Sequence, residues 1–391
     1  MIQNKLSIGI LALLGILFAL TIIFVKFTVT GNYEGVFLLS GKDRYVFELK
    51  DDLYLNEGRR YLLGIDFEHG KESIYRFLRT GGMQTPYLYY EWNEKEGKGF
   101  VRNYLPNGQQ VLTCFSRFLD DGGKEASGLF VGGGLPPNVI GYDMVKMNET
   151  GMAFHDGARW FHIWCNVNEA VFSTSEFAPI SPSAWKFLGS KVLHHEDQGL
   201  ILTSSHEVIV DRVPLRIDRY AHFRAGETYF ILAVDFTNIG EKPATYSYLY
   251  ADEPWLGEYG SSAGNVGWAA DGLHQYVGMI DTRATSFVGM FDYGNEAAGE
   301  RHTFTMYANF IAWFGEEKPL AYFSNGPYDI PQLSSKKQPL ASNTRYIGVQ
   351  WGPRTLQPKE TVRYTMAIGM ADRDPRTGFP KLPQIDLVNF P

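Results

Sequence analysis

Between residues 45 and 370 the chain alternates apolar and polar residues over short runs, and this period of two is what most limits its fold. Successive side chains of a strand point to opposite faces, so each run offers one face to a core. The clear runs cover 45–49, 87–92, 111–118, 159–167, 228–238, 286–293, 303–314, 346–351 and 361–370. The chain has 41 glycines and 19 prolines, many of them in the turns between the runs. No window of a dozen residues after residue 30 keeps a helical period, although 182–189 admits a short helical turn. The expected fold is all-β, a large antiparallel β-sandwich.

Composition agrees with a buried core. Of 391 residues, 45% are hydrophobic and only 20% charged, which excludes disorder as a global description. Aromatic residues make up 15%, a content that suits half-buried pleated surfaces. The net charge is −7 and no Lys/Arg cluster stands out, so nucleic acid is excluded as a partner.

Residues 6–25, LSIGILALLGILFALTIIFV, carry no charge. Twenty residues at about 1.5 Å each span about 30 Å, the thickness of a hydrocarbon core. The run is longer than a signal-peptide core, and β-branched and aromatic residues stand where a cleavage site needs small ones. It reads as an uncleaved transmembrane anchor preceding one exported body, with the soluble part extracytoplasmic (periplasmic or extracellular). No cysteine lies near it, so a lipid anchor is not available there. Cys114 and Cys165, the two cysteines of the chain, do not make a disulfide framework; each reads as a small buried hydrophobe, with one bridge between them left open.

Breaks near Gly122-Gly123 and at 132–137 suggest four parts. These are a tip and anchor over 1–30, a β-rich region over 31–135, a sandwich over 136–371 and a proline-bearing extended tail over 372–391. The tail either packs along the body or reaches a partner.

Residues 226–243 form a long alternating run ending in Thr237-Asn238-Ile239-Gly240-Glu241-Lys242-Pro243, and Leu356-Gln357-Pro358-Lys359-Glu360-Thr361 leads into the last long run. Over about residues 140–371 these features resemble the galactose-mutarotase-like, carbohydrate-binding supersandwich of aldose epimerases and of domains in glycan-processing enzymes. The resemblance implies that fold and a carbohydrate ligand. The epimerases' histidine, in an Asn-His-x-Tyr/Phe context, is not matched; Asp252 and Glu253 stand in its place. A carboxyl donates a proton at neutral pH only where burial raises its pKa by several units.

The densest local pattern is Met152-Ala153-Phe154-His155-Asp156-Gly157-Ala158-Arg159-Trp160-Phe161-His162-Ile163-Trp164. Asp-Gly between alternating runs predicts a two-residue turn, pairing His155 with Ala158 and Ala153 with Trp160. His155, Trp160, His162, Trp164 and Asn166 then share one face, with Phe161, Ile163, Cys165 and Val167 on the other. The indole-imidazole face suits a sugar or a partner surface, or else a second core layer. In this register His162 falls near Gly151, about 13 Å along the strand from His155, too far for a shared metal ion.

Asp252, Glu253, Trp255, Glu258 and Tyr259 read as an acidic-aromatic loop, with His222, Trp185, Arg345 and Trp351 as residues that could approach it. Its bland counterpart is an exposed loop at the sandwich edge. His194-His195-Glu196-Asp197 reads as a solvated turn before Gly199, without metal-ligand spacing. No nucleophile elbow, phosphate loop or dinucleotide fingerprint is present, and neither a cofactor nor a metal is expected.

The leading expectation is a non-catalytic binding or assembly subunit, anchored through residues 6–25 in the bilayer, contacting a membrane-complex protein or an envelope glycan. Its ligand-facing residues would be His155, Trp160, His162, Trp164 and Trp255. The alternative is a carbohydrate-active enzyme of aldose epimerase type, with Glu253, Asp252 and Glu258 as candidate acids. A metal-dependent protein built on His194 and His195 comes third.

Overall fold

A computed structural model describes residues 35–40, 43–48, 61–62, 65–66 and 86–387, apart from 96, 107–108, 116–117, 120–124, 127–150, 156–159, 175–178, 196–198, 257–264, 293–307, 329–337, 342–344, 375 and 378. Residues 6–25 lie outside the described residues. Among the described residues no helix is long and apolar enough to cross a membrane.

Two compact units are present, one of 1–85, 106–109 and 137–141, the other of 86–105, 110–136 and 142–391. In the first, β1 (Gly35–Ser40), β2 (Asp43–Glu48), β3 (Tyr61–Leu62) and β4 (Ile65–Asp66) form an antiparallel sheet in the order β1-β2-β4-β3.

The second unit opens with β5 (Tyr87–Asn93), β6 (Lys98–Tyr104), β7 (Gln110–Phe115), β8 (Phe118–Leu119), β9 (Glu125–Ala126), β10 (Gly151–His155), β11 (Trp160–Ser173) and β12 (Pro179–Ile180). It continues with β13 (Lys186–His195), β14 (Gly199–Val210), β15 (Val213–Arg224), β16 (Tyr229–Asn238), β17 (Ala244–Trp255), β18 (Asn265–Ala269) and β19 (Gly272–His274). Then come β20 (Gly278–Ile280), β21 (Phe287–Asp292), β22 (Ala308–Phe314), β23 (Leu320–Ser324), β24 (Tyr346–Leu356), β25 (Thr361–Arg373) and β26 (Pro380–Lys381). Two ten-stranded antiparallel sheets result. The first runs β20-β23-β24-β17-β11-β10-β7-β6-β5, with β12 on β11; the second runs β13-β14-β15-β16-β25-β22-β21-β18-β19, with β26 on β25. β8 and β9 pair separately. Among the described residues the unit is all-β, as the alternation requires, with a 3-10 turn at Pro182–Ala184 inside the stretch that admitted a helical turn.

The inner faces of the two sheets meet in one apolar core. β15 shows why: Val213, Leu215, Ile217, Arg219, Ala221 and Phe223 are buried while the residues between them are not. Part of the aromatic excess is spent here. Phe236, Tyr246, Tyr248, Trp351 and Tyr364 stack between the sheets, with Trp351 and Tyr364 centroids 5.1 Å apart and Phe236 and Tyr246 4.8 Å apart. A Cβ at Gly267 would come within 2.7 Å of the Phe323 ring from the opposing sheet, so this contact requires glycine.

The Thr-Asn-x-Gly-x-x-Pro turn is held by its asparagine. Asn238 donates to the carbonyls of Lys242 (2.8 Å) and Leu356 (2.9 Å) and accepts from the Gly240 N–H (2.9 Å). The β14–β15 hairpin carries no glycine in its turn. Asp211 and Arg212 take φ of 50° and 67°, and the Asp211 carboxylate accepts hydroxyls from Ser173 and Thr174, anchoring the turn to the end of β11. Edge strand β13 is guarded: Glu94 accepts the Val192 N–H at 3.0 Å, a bulge interrupts it between Phe187 and Gly189, and Lys186 and Lys191 are exposed on it.

Candidate functional site

The central strands of the first sheet are β10, β11 and β17, and their register fixes which residues share a face. His155 stands opposite Trp160, Ala153 opposite His162 and Gly151 opposite Trp164. A two-residue Asp-Gly turn is therefore corrected: residues 156–159 all lie between the paired positions, and the register moves by two. An even shift preserves parity, so the positions of His155, Trp160, His162, Trp164 and Asn166 keep one parity in the register. The separation of the histidines changes. His162 faces Ala153, two residues from His155, a diagonal relation of about 7–8 Å instead of about 13 Å.

On its other side β11 pairs with β17, where Trp164 faces Trp255, Asn166 faces Glu253 and Asn168 faces Ala251. Trp255 thus joins the positions of the hairpin. The reading of Asp252, Glu253 and Trp255 as a loop is also corrected: all three lie within β17, an interior strand of the sheet. Charge and Pro254 hid the strand, because residues 246–254 are all buried and such a stretch need not alternate. Glu258 and Tyr259 lie outside the described residues.

Glu253 is 4% exposed and accepts the Tyr346 hydroxyl on Oε2 at 2.8 Å. Burial, then the Glu253 charge, raises the pKa of that hydroxyl, while an Asn168 hydrogen bond lowers it. Beyond Glu253 the same face becomes apolar: Leu249, Ala251 and Tyr322 cluster, with Phe172 and Met279 against them. Tyr322 lies over Gly348, leaving no room for a Cβ there. Tyr328 meets Phe172 edge-on at 5.9 Å. In register, the positions of Trp160, His162, Trp164 and Trp255 are thus followed by Glu253 and then by the apolar Leu249, Ala251 and Tyr322.

Asp252 points the other way, into the space between the sheets, where it is fully buried. Burial pushes its carboxyl well above the usual range, with a smaller opposing contribution from Tyr250. Asp252 and Glu253 are neighbours in sequence that serve opposite faces.

Glu169, also on the inner face, pairs with Arg219 across the two sheets, and both side chains are 0% exposed. Tyr248 donates to Glu169 at 2.9 Å, and the Arg219 guanidinium lies 4.8 Å from the Trp185 ring centroid. Burial raises the Glu169 pKa while Arg219 and Tyr248 lower it. His206, within hydrogen-bond distance of Ser204 at 3.1 Å, is held well below the usual histidine range by burial and then by Arg219. The sequence reading passed over Glu169, although a lone carboxylate within Val167-Asn168-Glu169-Ala170-Val171 was its signal. It also passed over Tyr346, which nothing local marks.

The other named residues do not converge on Glu253. Trp185 belongs to the Arg219 cluster and Trp351 to the aromatic stack. His222 sits on β15 at an outer-face position of the second sheet. Arg345 donates to the Ala341 carbonyl, and burial lowers its pKa. His194 and His195 end strand β13, opposite Leu200 and Gly199, which corrects their placement in a turn. Cys114 is buried, at a register position of the other parity from Cys165. Among the described residues no three His, Cys, Asp or Glu gather for a metal ion.

No family model matches the chain, and no curated protein does. Solved structures are similar to it at low identity. A galactose mutarotase-like protein from Clostridium acetobutylicum is 10% identical with a TM-score of 0.38, over 73% of this chain and 99% of that one. A candidate aldose 1-epimerase from Klebsiella pneumoniae is 10% identical with a TM-score of 0.34, over 75% and 89%. A GH36 alpha-galactosidase from Geobacillus stearothermophilus is 9% identical with a TM-score of 0.37, over 73% and 41%. The similarities are consistent with a weak resemblance to the mutarotase-like fold and reach no further.

Proposed function

We propose that this chain is a single-pass, membrane-anchored extracytoplasmic protein that acts as a non-catalytic binding or assembly subunit of a membrane complex or an envelope glycan system. The observation that carries the reading is the register placing Trp164 opposite Trp255, beside Glu253 and Asn166, with Trp160 and His162 on the same face. Indoles offer flat apolar area with a polar tip, and an adjacent carboxylate and amide add directed hydrogen bonds. The non-catalytic character rests on Asp252 and Glu253. Acid-base chemistry on a sugar needs two groups that reach the same substrate, and these two lie on opposite faces of the sheet, with Glu253 already accepting a tyrosine hydroxyl. The anchor rests on the length and uncharged character of residues 6–25.

The full chain, extracted in mild detergent from native membranes, tests this reading. A co-purifying protein or glycan is expected; a lone monomer without either contradicts it.

A further inference from the structure

The aromatic stack between the sheets contains a tyrosine whose hydroxyl meets a carboxylate. Tyr248 on β17 and Trp351 on β24 stand opposite each other in register, their rings stacked at 5.9 Å and 16°. Tyr364 on β25 reaches them from the opposing sheet, 5.7 Å from Tyr248 and 5.1 Å from Trp351. All three are buried. Centroids this close bring the rings into contact, so an electron passes among them without crossing saturated protein. At one end Tyr246 stands opposite Arg354, whose side chain is 36% exposed, so the stack approaches solvent there.

The tyrosines differ in what their hydroxyls meet. Tyr246 and Tyr364 hydrogen-bond to each other at 3.1 Å, phenol to phenol. Tyr248 donates at 2.9 Å to Oε1 of Glu169, a carboxylate that also pairs with Arg219. Burial, then the Glu169 charge, raises the Tyr248 pKa and keeps the hydroxyl protonated while the ring holds its electrons. In a dry core a phenol gives up an electron only together with its proton, because a phenol radical cation would be a buried, unsolvated charge. A second phenol is a poor base for that proton, and a carboxylate is a good one.

We infer that Tyr248 and Glu169 form a one-electron redox site fed by Trp351, a sink for the oxidising equivalent that a radical oxidant leaves on the stack. A one-electron oxidant, such as an oxygen-derived radical acting at the Tyr246 end, takes an electron that Trp351 supplies. One electron then passes from Tyr248 to the Trp351 radical cation, and the Tyr248 hydroxyl proton moves to Glu169 Oε1. The products are neutral Trp351, a neutral Tyr248 phenoxyl radical and protonated Glu169. The positive charge that arrived on Trp351 remains as the charge of Arg219, whose guanidinium lies 4.8 Å from the Trp185 ring centroid.

Photoionisation by a short ultraviolet pulse creates indole radical cations without added oxidant, and transient absorption follows them in the full chain in a non-aromatic detergent. The parent should show a fast phase in which tryptophanyl absorption falls as tyrosyl absorption rises. Trp351→Phe and Tyr248→Phe, which keep a ring in the stack, should each lose that phase, whereas Tyr364→Phe keeps it. Glu169→Gln should slow it about 100-fold, the size of a positioned proton acceptor's contribution. Frozen after the pulse, the parent should give in high-field electron paramagnetic resonance the lowered g-value of a phenoxyl that accepts a hydrogen bond, here from protonated Glu169. The inference is overturned if Tyr248→Phe keeps the fast phase, or if Tyr364→Phe loses it in place of Tyr248→Phe. It is overturned equally if Glu169→Gln, with the near-ultraviolet circular dichroism of the parent, converts at the parent's rate. Where Glu169→Gln does not fold, the g-value of the parent decides, and one without a hydrogen bond contradicts the site.

Discussion

Trp164 on β11 stands directly opposite Trp255 on β17, one register step from Asn166 and Glu253. Directly opposed positions of an antiparallel pair place Cβ atoms about 4.5–5.5 Å apart. The strands that carry them are interior to a ten-stranded sheet, so the pair sits on a stiff platform. The carboxylate beside them is held by Tyr346, 93 residues further along the chain.

The Glu169–Arg219 pair ties the two sheets together without exposure to water. Losing one partner leaves a buried charge, so Glu169→Met or Arg219→Met should cost about 3–5 kcal/mol. The double Met variant should recover most of that loss, because it buries no charge. Urea midpoints of the four proteins read this directly.

Asp252 holds its proton more tightly in the folded chain than in the unfolded one. Its contribution is therefore complete below about pH 4 and declines as the pH rises toward its elevated folded-state pKa. Asp252→Asn removes that decline while keeping a similar shape. Relative to the parent, the variant should gain stability between about pH 5 and pH 8, measured as a growing difference in urea midpoint.

Burial pushes the Cys114 thiol up to about 12, against a smaller opposing influence of Arg102. At about pH 8 it should resist iodoacetamide in the folded chain and react once the chain is unfolded. Peptide-resolved mass spectrometry distinguishes it from Cys165.

Residues 6–25 should hold the chain in membranes through an alkaline carbonate wash. A chain starting at residue 31 should move to the soluble fraction. Retention of the shorter chain would place the membrane attachment elsewhere.

The strands were legible where one face meets water. Run 228–238 became β16 (Tyr229–Asn238), and Asn238 holds its turn as the motif suggested. Legibility failed where local chemistry misled. Asp252-Glu253-Pro254 resembles a loop, yet residues 246–254 of β17 are buried and each carboxylate has its own surroundings. The β14–β15 hairpin gave no glycine signal, since Asp211 and Arg212 occupy left-handed backbone themselves. Asp-Gly at 156–157 gave a strong signal that the register does not follow. The shared parity of these positions is unaffected because the shift was even, whereas the spacing of His155 and His162 changes. Tyr346 at Glu253 and Arg219 at Glu169 were beyond reach, because pairing across distant strands leaves no local trace.

The central claim is that the Trp164–Trp255 face binds a partner in the membrane. The most direct measurement compares the full chain with Trp164→Ala/Trp255→Ala, both purified in mild detergent from native membranes, by quantitative mass spectrometry of co-purifying protein and glycan. The account predicts a partner retained by the parent and reduced at least ten-fold in the variant, with the thermal unfolding midpoint of the variant nearly unchanged. Equal recovery of the same partner by both proteins, with the variant folded, would contradict it.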